Sequence, residues 1–296
     1  MSAPLPTCFL NGAFVPLQEA RISPLDRGFL FADAVYEVVP VYGGRPFRLR
    51  EHLLRLDRSL DGIGMAPVMP HDAWAKLLLE LISRNDAREA TLYLQVTRGA
   101  ENGRNHAWPP SLAPTIFAYC TALEPVPRAL LERGVAAVTA DEIRWARRDI
   151  KSTALLGNVL LKKLAADAGA FETIMLENGE LTEGSSTTVH VVKEGVICTP
   201  PNGRRILPGT TRDVVTELAE RLHIGSRSAP VSVSQLRAAD EIWLAFATRG
   251  VLPVTTLDGS PVGAGSPHAG RPGPQFARMY QAFQDYIAES ARTPAL

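Results

Sequence analysis

RRDIKSTALLGN, residues 147–158, sets Lys151 between two arginines and a run of small and apolar residues. A lysine that condenses with a carbonyl must be neutral part of the time, so it needs burial or neighbouring positive charge. Arg147 and Arg148 offer the charge, and Ile150, Leu155 and Leu156 offer the apolar surroundings. The same stretch also reads as a solvated lysine on the first turn of a helix. Its chemistry depends on what else the chain carries.

Three other stretches have chemical potential. LTEGSSTTVH delivers Glu183 from a strand end, followed by four hydroxyl residues, Ser185 to Thr188. A carboxylate there can face a cationic ring nitrogen, and small residues let a planar ligand approach; the plain alternative is a turn. LPGTTRD opens a helix, where free N–H groups, the dipole and threonine hydroxyls suit a phosphate; the alternative is ordinary capping. GRNHAW places Arg104 and His106 two apart in a loop, where both can converge on a carboxylate or simply be solvated. Together these supply an amine, a ring-nitrogen partner, a phosphate cradle and a carboxylate trap, the set that pyridoxal phosphate requires.

These groups need a frame, and the chain is long enough to build one. Its 296 residues suit one large domain or two, with a sizeable core. Asn11-Gly12 in FLNGAFV and Gly43-Gly44 in AVYEVVPVYGGRPFRL mark hairpins. REHLLRLDRSLDGIGM carries Leu53, Leu56, Leu60 and Ile63 at helical spacing, and HDAWAKLLLELISRN is a second helix. ATLYLQVTRG and PTIFAYC read as strands and close a first α+β unit, residues 1–121. Residues 122–127, within the two-proline stretch TALEPVPRAL, read as a linker. Over 128–296, GVAAVTADEIRW and FETIMLENGEL read as strands around a helix from STALLGN onward. TTVHVVKEGVICTP is a hairpin at Glu194-Gly195, LPGTTRDVVTELAERLHI is a helix with threonines in its cap region, and DEIWLAFATRGVLPVTTLDG gives two strands. The Gly/Pro-rich run 259–275 is expected as a loop before a last amphipathic helix.

Composition excludes several classes. Thirty-one basic residues balance 31 acidic ones, so no basic field recruits nucleic acid or a membrane surface. No apolar run is long enough to span a bilayer, and MSAPLPTCFLNG has no leader-like pattern. Cys8, Cys120 and Cys198 lack CxxC spacing, which fits a reducing, cytoplasmic setting and no metal site.

In order along nearly the whole chain, DRGFLFADAVYEVV, EHLLRLDRS, VTRG, DIKS…LLGNVL, LTEGSS and LPGTTRDVV resemble the class IV (fold type IV) pyridoxal-phosphate aminotransferases, and within them the D-amino acid branch. The resemblance implies an α+β, two-domain fold with pyridoxal 5′-phosphate between the domains, in a homodimer. It implies Lys151 as Schiff-base lysine and general base, and Glu183 as partner of the ring nitrogen. It gives Arg55, Thr210, Thr211 and Thr248 to the phosphate, and sets Ser185 and Ser186 beside the ring. Tyr36, Arg104 and His106 resemble the α-carboxylate trap of the D-specific branch. The implied reaction is ping-pong transfer of an amino group from a D-amino acid of the D-alanine or D-glutamate type to a 2-oxo acid.

Three features depart from the family pattern. LAFATRGVLPV offers Phe246, Ala247, Thr248 and Arg249 where hydroxyl residues are usual, and Arg249 is either solvated or directed at a second substrate carboxylate. The loop AENGRNHAW is one residue longer, and the 259–275 insert has no counterpart. The alternatives are a branched-chain L-amino acid aminotransferase, which lacks the Arg-x-His pair, an aminodeoxychorismate lyase, an (R)-amine transaminase, and a non-catalytic binding protein. Intact Lys151 and Glu183 speak against the last. His52 and His190 read as structural.

Overall fold

Asn11 and Gly12 both take positive φ, 47° and 96°, and fold β1 (Pro4–Leu10) back on β2 (Ala13–Pro16). The computed structural model describes residues 3–292. In it the chain forms two α+β units. The first runs to Glu124 and also takes Ile150–Ala154 and the described residues from Ile287 on; the second holds Pro125–Asp149 and Leu155–Tyr286.

In the first unit, the short helix α1 (Arg27–Phe31) leads into β3 (Ala34–Tyr42). Gly43 and Gly44, at φ 58° and 77°, turn β3 onto β4 (Arg45–Pro46). Helices α2 (Leu49–Gly62) and α3 (His71–Arg84) follow, then β5 (Ala90–Thr97) and β6 (Thr115–Ala122). Among the described residues the sheet order is β2-β1-β6-β5-β3-β4, with every pairing antiparallel. Alternation puts Val35, Val39 and Val41 of β3 in one buried row with Leu92, Leu94 and Val96 of β5. Leu53, Leu56 and Leu60 of α2, with Trp74, Leu78 and Leu81 of α3, share the core with that row. Ile63, at the C-cap of α2, packs against it partly buried.

The second unit opens with α4 (Arg128–Arg133) and β7 (Val135–Asp141). Helix α5 (Leu156–Asp167) then crosses to β8 (Glu172–Glu177), parallel to β7. FETIMLENGEL is a hairpin: Asn178 and Gly179, at φ 54° and 77°, return β8 as β9 (Glu180–Gly184). Glu194 and Gly195 likewise join β10 (Thr188–Lys193) to β11 (Val196–Thr199). Helix α6 (Thr210–Arg221) crosses from β11 to the parallel β12 (Ser226–Ser228), as a parallel pair requires. Helix α7 (Val233–Arg237), β13 (Glu241–Phe246), β14 (Gly250–Leu257), β15 (Ser260–Pro261) and α8 (Pro274–Ser290) complete the chain. The strand order is β12-β11-β10-β13-β14-β7-β8-β9, with β15 on β14.

Two expectations change. Helix α5 begins at Leu156, four residues into STALLGN rather than at its start, because the backbone of 151–153 is engaged elsewhere: Tyr36 N donates to Lys151 O at 2.9 Å and Thr153 N to Ala34 O at 3.1 Å. The 259–275 run is tied to its own unit, with β15 paired to β14, Val262 buried, and Gly263 N donating to Ala239 O at 3.2 Å. Among the described residues no helix is long and apolar enough to cross a membrane, and no His, Cys, Asp and Glu group is placed to hold a metal.

His190 lies in β10, fully buried, with Nδ1 2.6 Å from Thr199 Oγ1 and Nε2 without a hydrogen-bond partner among the described residues. Burial, and then the nearby Arg212 charge, push its pKa down to about 3. The unfolded chain therefore binds this proton first. The stabilisation from neutral His190 is whole above about pH 6.5 and is lost as pH falls towards 3, at roughly 1.4 kcal/mol per unit. Urea unfolding between pH 7.5 and 4.5 should show a steeper loss for the wild type than for His190→Gln; equal slopes would contradict the assignment.

Candidate active site

The expected site residues fall in both units. Lys151, Tyr36, Arg55, Arg104 and His106 belong to the first; Glu183, Ser185, Ser186, Thr210, Thr211, Thr248 and Arg249 belong to the second.

In the first unit, residues 150–154 run along the edge of β3, with Ser152 bridged to Val35. Lys151 N donates to Ser59 Oγ of α2 at 3.1 Å, so strand and helix both fix this backbone. The Lys151 ammonium nitrogen lies 4.4 Å from the Tyr36 ring centroid, and among the described residues no carboxylate pairs with it. Tyr36 is stacked on Tyr93, ring centroids 5.6 Å apart.

One residue on, Glu37 occupies the buried row of β3 and meets α2. Arg55 Nε and Nη2 donate to its two oxygens at 2.8 and 2.7 Å, and His52 Nδ1 lies 2.7 Å from Oε2. Burial would raise the Glu37 pKa, but Arg55 and His52 outweigh it and hold the carboxyl far below its ordinary range. His52 is shifted down, chiefly by burial, against the pull of Glu37. Arg55 thus stands as half of a buried bidentate pair, and His52 is structural.

Arg104 and His106 are exposed and share a neighbour. The Arg104 guanidinium lies 4.9 Å from the Phe31 ring centroid and the His106 ring 5.3 Å from it.

In the second unit, Glu183 is buried at the end of β9. Oε1 accepts from Arg144 Nη1 at 2.7 Å, and both oxygens lie 3.2 Å from Leu207 N. Burial raises its pKa against the opposing pull of Arg144. The Leu207 contact ties Glu183 to the entry of α6, whose N-cap is Gly209 with no side-chain cap. The threonines expected in the cap region are instead Thr210 and Thr211, buried in the first turn. A Cβ on Gly209 would sit 2.7 Å from Thr188 Oγ1, so the LTEGSSTT and LPGTT motifs abut and leave no room there for a side chain.

Ser185 and Ser186 are braced by Glu172, which is fully buried. The Ser185 hydroxyl donates to Glu172 Oε1, the Ser186 hydroxyl to Oε2 at 3.0 Å, and Thr173 N to Oε1 at 2.9 Å. Thr248 lies half-buried in the β13–β14 turn. The Arg249 guanidinium sits 5.8 Å from the Phe171 ring centroid. Arg147 and Arg148 do not stand as spare charges: Arg147 pairs with Asp149, and Arg148 with Glu142 and Glu177.

Residues 34–257 match the family described as amino-transferase class IV. The chain belongs to the class IV aminotransferases. It is 39% identical to the D-alanine aminotransferase of Staphylococcus aureus (strain MSSA476) over 280 residues, covering 94% of this chain and 97% of that one. Against the Bacillus licheniformis D-alanine aminotransferase it is 39% identical over 284 residues, covering 96% and 98%. Among solved structures it superposes on a branched-chain amino acid aminotransferase of Escherichia coli with a TM-score of 0.89, at 26% identity over 96% of this chain and 95% of that one. A fold IV-transaminase from Curtobacterium pusillum gives a TM-score of 0.79 at 25% identity, covering 95% and 94%. The α+β fold of this class IV aminotransferase is therefore fold type IV.

Several residues that organise the site carry only a faint sequence signal. Glu37 is a lone carboxylate in the apolar run AVYEVVPV, and Glu172 opens a strand whose middle, IML, is apolar; Arg27 lies in the motif DRGFLFADAVYEVV with no role read for it, and Arg144 carries no signal. Removing one member of a buried ion pair typically costs about 3–5 kcal/mol, because the other charge is left uncompensated. Glu37→Gln should lose about 3–5 kcal/mol in urea unfolding at neutral pH, measured on the purified protein. A loss no larger than that of an exposed substitution would contradict the buried pair.

Proposed function

We propose that the protein is a pyridoxal 5′-phosphate-dependent transaminase that passes the amino group of a D-amino acid, of the D-alanine or D-glutamate type, to a 2-oxo acid. The observation that carries the reading is Lys151: its backbone is fixed from two sides, and its amine rests on an aromatic face with no carboxylate partner among the described residues. A lysine held this way is available for chemistry instead of ion pairing. The likeness to D-alanine aminotransferases supports the D-branch.

The residues fit the cofactor. Glu183 is buried, and among the described residues its Oε2 receives only the Leu207 N–H, so it keeps acceptor capacity for a protonated ring nitrogen. The start of α6 lacks a side-chain cap and carries buried Thr210 and Thr211, a donor set suited to a phosphate. Arg55 is assigned to the same phosphate, its charge oriented by Glu37, and Thr248 is a further hydroxyl donor. Ser185 and Ser186 line the ring side, held by Glu172. When bound, the cofactor supplies a carbonyl for the amine and an electron-withdrawing ring.

The protein's own groups then have distinct tasks. Lys151 Nζ takes the proton from the substrate Cα and returns it, and Tyr36 shields that amine from water. Glu183 holds the ring nitrogen's proton in place. Arg104 and His106, with Tyr36, receive the α-carboxylate, and Arg249 is assigned to a second carboxylate on acidic substrates. The first amino acid leaves as a 2-oxo acid before the second 2-oxo acid enters, which gives ping-pong kinetics.

We assign residues 122–127 as the connection between domains 1–121 and 128–296, and propose that the active form is a homodimer. Supporting the dimer, Leu156, Val159, Leu160 and Leu164 leave an apolar stripe exposed along α5. Three free, buried cysteines accord with a cytoplasmic setting.

Spectral titration with D- and L-amino acids tests the activity. D-Alanine should change the cofactor's visible absorbance and, with 2-oxoglutarate, yield pyruvate, whereas L-leucine should do neither. Response to L-leucine alone would transfer the chain to the branched-chain L-amino acid activity. Lys151→Ala should lower kcat on the order of a thousand-fold or more; similar turnover would overturn the role of Lys151.

A further inference from the structure

The groups assigned to the substrate carboxylate sit in an exposed loop, yet recognition of a carboxylate needs side chains held to a fraction of an ångström. The loop residues 99–108 are gripped from beneath by one buried side chain. Arg27, the first residue of α1, is 3% exposed, and its guanidinium makes four donated bonds. Nε donates to Asp33 at 2.8 Å and Nη1 to Glu101. Nη1 also donates to Asn105 O at 2.7 Å, and Nη2 to His106 O at 3.1 Å. Two of the four acceptors are therefore backbone carbonyls flanking the side chains in question.

The support is itself rigid. Asp26 caps α1 through Gly28 N at 2.7 Å and accepts from Thr97 and Thr115 at 3.0 and 2.6 Å, fastening α1 to the ends of β5 and β6. Arg27 N donates to Gly99 O at 2.9 Å. Asp33 also accepts from Arg98 at 2.7 and 3.0 Å, and Arg98 lies over the Trp108 ring at 4.2 Å. Arg27 and Arg98 are matched by Asp33 and Glu101, while the third carboxylate, Asp26, is held by hydroxyl and backbone donors. Arg104 has no carboxylate partner among the described residues, and it shares Phe31 with Arg27, whose guanidinium lies 4.8 Å from that ring centroid. Glu101, which belongs to the lengthened loop, is the only one of Arg27's four acceptors that is a side chain of the loop.

We propose that Arg27 is a positioning residue for substrate-carboxylate recognition, fixing Arg104 and His106 by holding the backbone carbonyls of Asn105 and His106. This rests on the assignment of Arg104 and His106 to the carboxylate. A lysine in its place keeps the charge but cannot serve four acceptors from fixed directions.

The test is a double-mutant cycle on the holoenzyme with D-alanine and 2-oxoglutarate. Arg27→Lys should raise both KM values about tenfold while kcat stays within about threefold and the cofactor is retained on dialysis. Arg104→Ala should raise KM at least as much. Because Arg27 acts through Arg104, Arg27→Lys should add little in the Arg104→Ala background. Full additivity, or a parallel fall in kcat and cofactor retention, would mean a purely structural role and overturn the proposal. An Arg104→Ala variant with unchanged KM would overturn the carboxylate assignment itself, and the proposal with it. Where Arg27→Lys does not fold, Glu101→Gln serves in the same cycle, with the same pattern expected at smaller amplitude and the same additivity overturning it.

Discussion

Everything proposed for this protein depends on two backbone hydrogen bonds. Tyr36 N to Lys151 O and Thr153 N to Ala34 O add five residues of chain to the edge of β3, although the flanking sequence belongs to the other unit. Had the helix begun at Lys151, its carbonyl would be committed to an i→i−4 bond and the lysine would project from a helix surface. Pairing with a strand instead fixes the lysine backbone, and Ser59 Oγ adds a third restraint. Side-chain freedom remains only beyond Cα, where the Tyr36 ring limits it.

Around that anchor, buried charges occur in matched sets. Glu37 is joined by Arg55 and His52; Glu183 by Arg144, which also binds Glu142; Asp33 and Glu101 by Arg27 and Arg98. A buried charge without such partners would cost several kcal/mol, so each set is a condition for keeping ionised groups inside. The sets differ in outcome. At Glu37 the arginine and histidine outweigh burial and the carboxyl is held ionised, whereas at Glu183 burial outweighs Arg144 and the pKa moves up. Two glutamates of similar burial thus have opposite acid strength, because one has two close basic partners and the other a single one.

This difference explains how much of the molecule can be read in its sequence. Asn11-Gly12, Gly43-Gly44 and Glu194-Gly195 are local signals, and each hairpin forms where its turn residues stand. The leucine spacing of α2 is equally local. The start of α5 is not, since what stops the helix is a strand more than 100 residues earlier in the chain. Arg147 and Arg148 beside Lys151 read as available positive charge; Asp149 takes Arg147 from two residues away, but the Glu177 that takes Arg148 along with Glu142 is 29 residues on and not a local signal. The family resemblance supplied candidate site residues, but Glu172, Arg144 and Arg27 act on them indirectly. Their importance is visible only once distant segments are packed.

Glu172 shows what such indirect residues contribute. Two adjacent serines with free hydroxyls could rotate among several acceptors and would present a planar ligand with a changing surface. Accepting from both hydroxyls and from Thr173 N, one buried carboxylate fixes the rotors and directs their lone pairs away from itself. The adjoining Gly209 cannot carry a side chain without striking Thr188 Oγ1. Backbone N–H groups, a small residue and fixed hydroxyls are thereby concentrated where Glu183 meets the entry of α6. A surface already ordered before a ligand arrives loses less entropy on binding. That economy, more than any single contact, is the physical reason for buried acids behind a row of serines and threonines.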